Sequence, residues 1–599
     1  MRTWNLTITA CLLLSLSAMA QQTQQPSSPQ PAAPQQSAAA QPATSAPAPS
    51  SAPATASTSP QGPATTLDQV VDRAIEREQA LIKVLQDRTP LIETYLQNLT
   101  NDPANGPVPV EDHYFLGRLD LQGDKGPSRR DYLETDKSLQ SRLLGGVKGS
   151  INKLYKFEYN PMGFSWMVFA DRDAFDREHY EFHYARREFL GDVRTIVFDV
   201  TPKKGAGKGR FQGRIWVEDQ DYNIVRLNGT YVPRPRNAVY FHMDSWRLNL
   251  VPGYWVPAYI YSEEGDFSYG SKDKMAFKAQ SRIWGYNLQN SGKEDELTQV
   301  LVDSVKDESA AAGDASPLQA QREWQQQAED NVVDRLEKAG LLAPPGEVDK
   351  VLTTVINNLE VTNNINLPRP VRARVMITSP LETFSVGNTI IVSRGLVDVL
   401  PDEGSLAMVL SHELAHIVLG HNLGSKYAFN DRMLFSDEST YNNLGFRHIP
   451  EEETAADAKA LELLKNSPYA QKLQTAGLFL RQLQARGPQL GALLTPHLGN
   501  GLTSKEGTVE RLSALMTDAP ELDPAKLDQI AALPLGGRVK INAWDDTAEL
   551  VKTAPVAITS ARDKMPLEVT PFFPRLTRLS SSSPSTTPTT ASNTAAPSN

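Results

Sequence analysis

The sequence predicts an α+β chain: a separate β-rich portion, read as a curved antiparallel sheet, followed by a mostly helical portion that carries a small sheet of its own. Three observations point there. Between about 110 and 290 the chain runs in aromatic and β-branched stretches broken by polar turns, and Trp216, Trp246, Trp255 and Trp284 all fall in it; such residues suit a pleated, half-buried surface. From about 403 to 520 the texture is that of a long helical region. Small polar residues at 305–317 separate the two and read as a linker.

The ends of the chain lack charge. After Arg2 no Asp, Glu, Lys or Arg occurs until Asp68, and none follows Arg578. Arg2, an apolar run at 8–16 and Ala18-Met19-Ala20 before Gln21 make residues 1–20 a cleavable export signal, so the product is expected in the periplasm or secreted. The one cysteine, Cys11, lies inside the signal and precedes most of the apolar run. Lipid attachment is thereby excluded, and the mature chain has no thiol for a disulfide, a nucleophile or a zinc–thiolate site. Residues 21–65, of Gln, Pro, Ala, Ser and Thr, and 579–599, of Ser, Thr and Pro, bury too little apolar surface to offset their ordering entropy and read as disordered. No later stretch offers 18 uninterrupted apolar residues, so no transmembrane segment is expected after signal cleavage, which leaves peripheral association with the envelope open. A net charge of −10 argues against nucleic acid as a partner.

Between these ends the elements follow in order. Thr66 caps a helix with Val70, Val71, Ile75, Leu81, Ile82 and Leu85 on its apolar positions. Thr89-Pro90 ends it and starts a second helix, with Pro90 at its first position and Leu91, Tyr95 and Leu99 on one face. Strands are expected at 166–170, 195–200, 214–217 and 223–227, the last two flanking a hairpin loop at 218–221. The β-rich portion spans 66–305. Two helices, about 318–340 and 347–359, open the helical portion (318–520), with strands at 373–377 and 389–392. A β-like extension at 521–578, including 539–543, leads to a Pro-rich finish near Pro574.

Chemistry concentrates in the helical portion. Five of the nine histidines, His412, His416, His421, His448 and His497, lie within 86 positions. The run Ser411-His412-Glu413-Leu414-Ala415-His416 puts two imidazoles at i and i+4, on one face of a helix, where both can ligate one metal ion. Glu413 beside them is placed to act as a general base on a metal-activated water. A zinc site needs a third protein ligand. The metzincin pattern requires Gly and His three and six residues past the second ligand, where this sequence has Leu419 and Asn422. Gly420-His421 is out of register, and on a continued helix His421 is rotated about 140° from His416. The other source is a later helix: Glu453-Thr454-Ala455-Ala456-Asp457 offers Glu453 as the ligand and, one turn on, Asp457 to accept a hydrogen bond from a ligating imidazole.

The runs 384–396 (FSVGNTIIVSRGL), 402–416 (DEGSLAMVLSHELAH) and 453–457 (ETAAD) together resemble the HtpX/CAAX-prenyl-protease-like gluzincin zinc metallopeptidases, peptidase family M48, and among them the soluble periplasmic BepA-like branch. The resemblance covers roughly 345–520. It implies a zincin-type metallopeptidase domain with one Zn2+ per chain and protein or peptide substrates. It also implies a histidine and an arginine near the active site after the third ligand, for which His497 and Arg511 are the nearest matches. Pro496-His497 reverses the family's usual order, and the stretch around it, with Gly499, Gly501 and Gly507, reads as loose. There is no tetratricopeptide array, so the partner-binding role of that branch does not carry over. The strand Thr389, Ile390, Ile391, Val392 is expected to be an edge on which a peptide lies extended. The implied function is hydrolysis of unfolded or misassembled envelope proteins. The competing reading is an envelope chaperone, or a client- or lipid-binding protein, in which the β-rich portion does the main work.

Overall fold

Thr66 opens the first helix: its hydroxyl accepts a hydrogen bond from the Gln69 amide and caps helix α1 (Leu67–Gln86). The structure, a computed structural model, describes residues 63–103, 105–120, 128–134, 164, 166–233, 241–267, 275–286, 317–421, 445–504, 507–542, 546–551 and 557–579. The expected export signal (1–20), residues 21–62 of the expected linker, residues 305–316 and the tail beyond 579 lie outside them. No helix among the described residues is long and apolar enough to cross a membrane.

The run after Pro90 is not a second helix but strand β1 (Leu91–Asp102). Leu91, Tyr95 and Leu99 are four apart, a spacing that puts residues on one face of a helix and, being even, equally on one face of a strand. Burial breaks the tie, since Ile92 and Leu96 are buried in a different cluster from Leu91 and Tyr95. A strand with both faces covered has that pattern. The segment at 166–170 is likewise not a strand; it holds a single 3-10 turn, Trp166–Val168.

Nine more strands join β1: β2 (Gly106–Asp120), β3 (Ser128–Glu134), β4 (Tyr180–Leu190), β5 (Val193–Pro202), β6 (Arg210–Glu218), β7 (Ile224–Val232), β8 (Met243–Val251), β9 (Tyr254–Phe267) and β10 (Met275–Trp284). They form a ten-stranded antiparallel sheet in the order β3-β2-β1-β10-β9-β8-β7-β6-β5-β4. Every pairing is between strands consecutive in sequence except β1–β10, where Leu91 lies opposite Trp284, and the sequence neighbours β3 and β4 form the two edges. One face carries Ile92, Leu96, Phe198, Ile215, Leu227, Ile260 and Ile283, against which α1 packs. Arg247 and Glu78 fasten α1 there with two hydrogen bonds of 2.5 and 2.7 Å, both side chains no more than 1% exposed. The opposite face carries Tyr95 and Trp284 toward one end and Trp216, Trp246, Trp255 and Tyr259 toward the other. Arg226 lies between Trp216 and Trp246, 4.4 and 4.3 Å from their ring centres.

The helical half docks on the first end of that second face. It comprises α2 (Pro317–Lys338), α3 (Glu347–Thr362), β11 (Arg372–Met376), β12 (Thr383–Val386), β13 (Thr389–Ser393), α4 (Arg394–Val399), α5 (Glu403–Leu419), α6 (Pro450–Lys465), α7 (Leu473–Arg486) and α8 (Gly491–Leu494). Its core is continuous with Leu91, Tyr95, Tyr114 and Trp284 of the sheet. Buried polar groups pin the junction. Asp112 accepts from the amides of Ala492 and Leu493 at 2.8 and 2.7 Å, and Glu93 accepts from the amide of Ser379 at 2.6 Å and pairs with Arg394. Buried carboxylates with this many donors are satisfied rather than stranded.

The strand Thr389, Ile390, Ile391, Val392 is not an edge. In the three-stranded sheet β11-β13-β12 it is the middle strand, parallel to β11 and antiparallel to β12, and it is buried along its length. The overlooked strand is β12, which returns through Gly387-Asn388, with Gly387 at φ 54°, so that Val386 lies opposite Thr389. Gly-Asn between two apolar runs is the sequence signal for such a hairpin.

The remaining chain ties the halves together. The buried Asp398 carboxylate accepts from the amides of Gly536, Arg538 and Val539, and β14 (Val539–Ile541) pairs with β15 (Ala548–Leu550). Gln97 of β1 brackets the later segment, donating to the Leu567 carbonyl and accepting from the Val569 amide. Residues 571–579 then cross the tryptophan end of the sheet, where Leu576 is fully buried, Arg578 pairs with Glu218, and the Leu579 amide donates to Asn249.

Candidate metal centre

The centre is built on α5, a helix apolar nearly all round and buried from Gly404 to His416, as an interior helix should be. Asp402 caps it, accepting from the Ser405 amide at 2.8 Å, and Gly420 ends it in the left-handed region at φ 69°. α6 lies against it. Pro450 at its start and three acids in its first turn favour the N-terminus there, and Ala456 and Ala460 are buried and small enough for close approach.

This packing gathers His412, His416 and Glu453, whose ligand atoms all lie within 4.8 Å of one another. The two Nε2 atoms are 3.1 Å apart; Glu453 Oε2 is 3.1 Å from His412 Nε2, and Oε1 is 3.6 Å from His416 Nε2. The outer nitrogens are engaged separately. His412 Nδ1 is 2.8 Å from Asp457 Oδ1, and the other Asp457 oxygen accepts from the Leu512 amide at 2.8 Å. His416 Nδ1 is 2.9 Å from His421 Nδ1. An acceptor on Nδ1 leaves the Nε2 lone pair for a cation. Burial, with His412 and His448 beside it, pushes the His416 pKa down to about 2, which keeps that imidazole neutral, as a ligand must be. Against the desolvation of its position, hydrogen bonding from His412 and the charge of Arg511 hold the Glu453 carboxyl well below its usual range. Against burial and the charge of Arg511, hydrogen bonds to Asp457 and Glu453 raise the His412 pKa, so a cation must displace a proton from that ring. Two imidazoles, neutral once they ligate, and one carboxylate form a donor set that fits zinc.

Glu413, 1% exposed, accepts from Arg511 Nη1 at 2.8 Å, and Arg511 Nε is 3.2 Å from Glu453 Oε2. Arg511 thus joins the base candidate to the ligand candidate. His497 does not join the group. Its ring lies 5.1 Å from that of Tyr114 of the sheet, its amide donates to Glu382, and burial pushes its pKa down to about 4. The glycines around it are not loose. A Cβ on Gly499 would stand 2.8 Å from the Thr383 carbonyl oxygen, so the segment is packed directly on β12.

Sequence reasoning missed three neighbours. His421 was excluded on the assumption of a continuing helix, but Gly420 ends α5 and returns His421 to the outer side of His416. His448 stacks on the His416 ring, centroids 3.8 Å apart. Asn500 donates to Glu453 Oε1 and to the His448 carbonyl. A glycine just past an apolar helical run was the available signal for the first; nothing local marked the other two.

No protein of curated function matches the chain. Among solved structures it is similar, at 12% identity and a TM-score of 0.17, to a LolA superfamily protein from Nitrosomonas europaea, over 36% of this chain and 92% of that one. At the same identity and TM-score it is similar to a domain assigned to outer membrane lipoprotein sorting from Vibrio parahaemolyticus, over 38% of this chain and 97% of that one. Residues 348–448, which contain β11, β12, β13 and the whole of α5, match the model of peptidase family M48, and that match supports the family and, with the His412, His416 and Glu453 cluster, a metallopeptidase.

Proposed function

We propose that this chain is an exported, zinc-dependent metalloendopeptidase of the soluble BepA-like kind, acting on unfolded or misassembled envelope proteins. The observation that carries the reading is the convergence of His412, His416 and Glu453 with Glu413 and Arg511 at their side. In it, 318–520 is the catalytic portion, 66–305 the sheet on which it is mounted, and 521–578 the extension that ties them. Export rests on the signal read in residues 1–20.

His412, His416 and Glu453 would hold one Zn2+, which when bound would supply a Lewis acid for the scissile carbonyl and lower the pKa of the attacking water. Glu413 takes that water's proton and delivers it to the leaving amine. Arg511 fixes the carboxylates of Glu413 and Glu453 relative to each other through its two contacts. Asp457 and His421 orient His412 and His416 from the far side of each ring. The chaperone reading draws less support, because α1 fills one face of the sheet and the helical half and residues 571–579 lie on the other.

Purified mature chain should hold about one zinc and cleave an unfolded protein such as casein in a chelator-sensitive way. Glu413→Gln should keep the zinc and lose activity; Glu453→Ala should lose both. Asp457→Asn should weaken zinc binding or activity by about 10–100-fold. Full zinc and full activity in Glu453→Ala would remove it as a ligand.

A further inference from the structure

A carboxylate ligand works only if one oxygen is presented and the other is satisfied, since an unfixed side chain swings and an unpaired buried oxygen is costly. In this structure Glu453 Oε2 lies toward His412 Nε2 and Arg511 Nε, while Oε1, 3.6 Å from His416 Nε2, accepts its hydrogen bond from the Asn500 amide nitrogen. The second N–H of that amide goes to the His448 carbonyl at 3.2 Å. Both donors of Asn500 are therefore spent, which sets the amide's orientation.

Asn500 sits outside any helix or strand, so something must hold its backbone. Glu382, 1% exposed at the entrance to β12, accepts from the amides of His497 and Leu498 at 2.9 Å each. The Leu498 carbonyl in turn accepts from the Phe446 amide at 2.7 Å. Gly499 lies so close to Thr383 and Phe384 that no side chain fits, which fixes the residue just before Asn500. The segment is thus clamped onto the small sheet on one side and reaches Glu453 on the other.

We propose that Asn500 is a positioning residue for Glu453, and that Glu382 acts on the metal centre only by holding Asn500 in place. The inference rests on the metal-centre reading above, and it assigns no contact with substrate to either residue. Loss of the Asn500 amide frees Glu453 Oε1 and loosens the ligand, so zinc affinity falls while the fold remains.

The test is zinc affinity of the full chain, by competition with a chelator of known affinity, with the melting temperature of the metal-free protein measured alongside. If wild type binds no zinc, the metal-centre reading fails before the variants are compared. Asn500→Ala should weaken zinc binding about 10–100-fold, with metal-free melting shifted by less than about 2 °C. Glu382→Ala should weaken it in the same direction, Glu382→Gln, which keeps an acceptor oxygen for the two amides, should recover most of the loss, and Glu382→Ala added to Asn500→Ala should weaken it no further. Wild-type zinc affinity in Asn500→Ala overturns the proposal, whether or not Glu382→Ala folds. Losses that add in the double variant overturn the part given to Glu382.

Discussion

Glu382 and His497 are two buried titratable groups joined through one backbone hydrogen bond, and their environments move them in opposite directions. Burial pushes the Glu382 carboxyl up to about 7 against the amides of Leu498, His497 and Gly499 that favour its anion, while burial pushes the His497 imidazole down to about 4. The raised carboxyl contributes stability that is complete below 4.5, its ordinary value, and is lost as pH rises through about 7. The lowered imidazole contributes stability that is complete above 6.5 and is lost as pH falls through about 4. In metal-free protein, the advantage of wild type over Glu382→Gln in melting temperature should therefore shrink between about pH 4.5 and 7, and that over His497→Gln should grow across about pH 4 to 6.5. Parallel slopes for the two variants would mean that one of these groups is solvated. At this scale His412, Glu413 and His416 were legible because four-residue spacing on a helix fixes their geometry locally. Glu453 needed a second helix, and was legible only beside the first motif. Asn500 was not legible at all, because its role depends on a turn held by a carboxylate more than a hundred residues earlier in the chain.

Helix α1 shows what a single element needs to stay in place. Its apolar stripe supplies area, but the Glu78–Arg247 pair is inside that contact and fully desolvated. Breaking such a pair leaves a buried charge, at about 3–5 kcal/mol, whereas replacing both partners by apolar residues is often close to neutral. Glu78→Ala should lower the free energy of chemical unfolding, followed by the sheet's tryptophan fluorescence, by that order, and Glu78→Leu with Arg247→Met should restore much of it. Equal midpoints for wild type and Glu78→Ala would show that the pair does not hold α1. The same scale explains the misread elements. The four-residue spacing of Leu91, Tyr95 and Leu99 satisfies both periods, so burial on two faces, a tertiary fact, decides for the strand. The strand at 389–392 reads as an edge unless Gly387-Asn388 is taken as a hairpin turn, and once it is, β12 occupies the side that an incoming peptide would need.

Across the described residues, the ten-stranded sheet has its second face shared between the helical half and residues 571–579. The sequence signalled both halves through their change of texture, but not that they meet on a common face, because Gln97, Asp112 and Glu93 look like ordinary polar strand residues until their partners at 567–569, 492–493 and 379 are known. Leu576 closes the aromatic cluster around Trp216, Trp246 and Trp255. Leu576→Ala should cost about 2–5 kcal/mol, and ending the chain at Thr570 should shift tryptophan emission to the red and raise binding of an apolar dye. Unchanged emission in the shortened chain would show that the segment covers nothing. A polypeptide is made from its N-terminus, so the sheet is synthesised long before the residues that finish it. A product cut short before about position 571 lacks the segment that packs on Trp216, Trp246 and Trp255, and aromatic surface left uncovered is a mark that any system reading it can recognise.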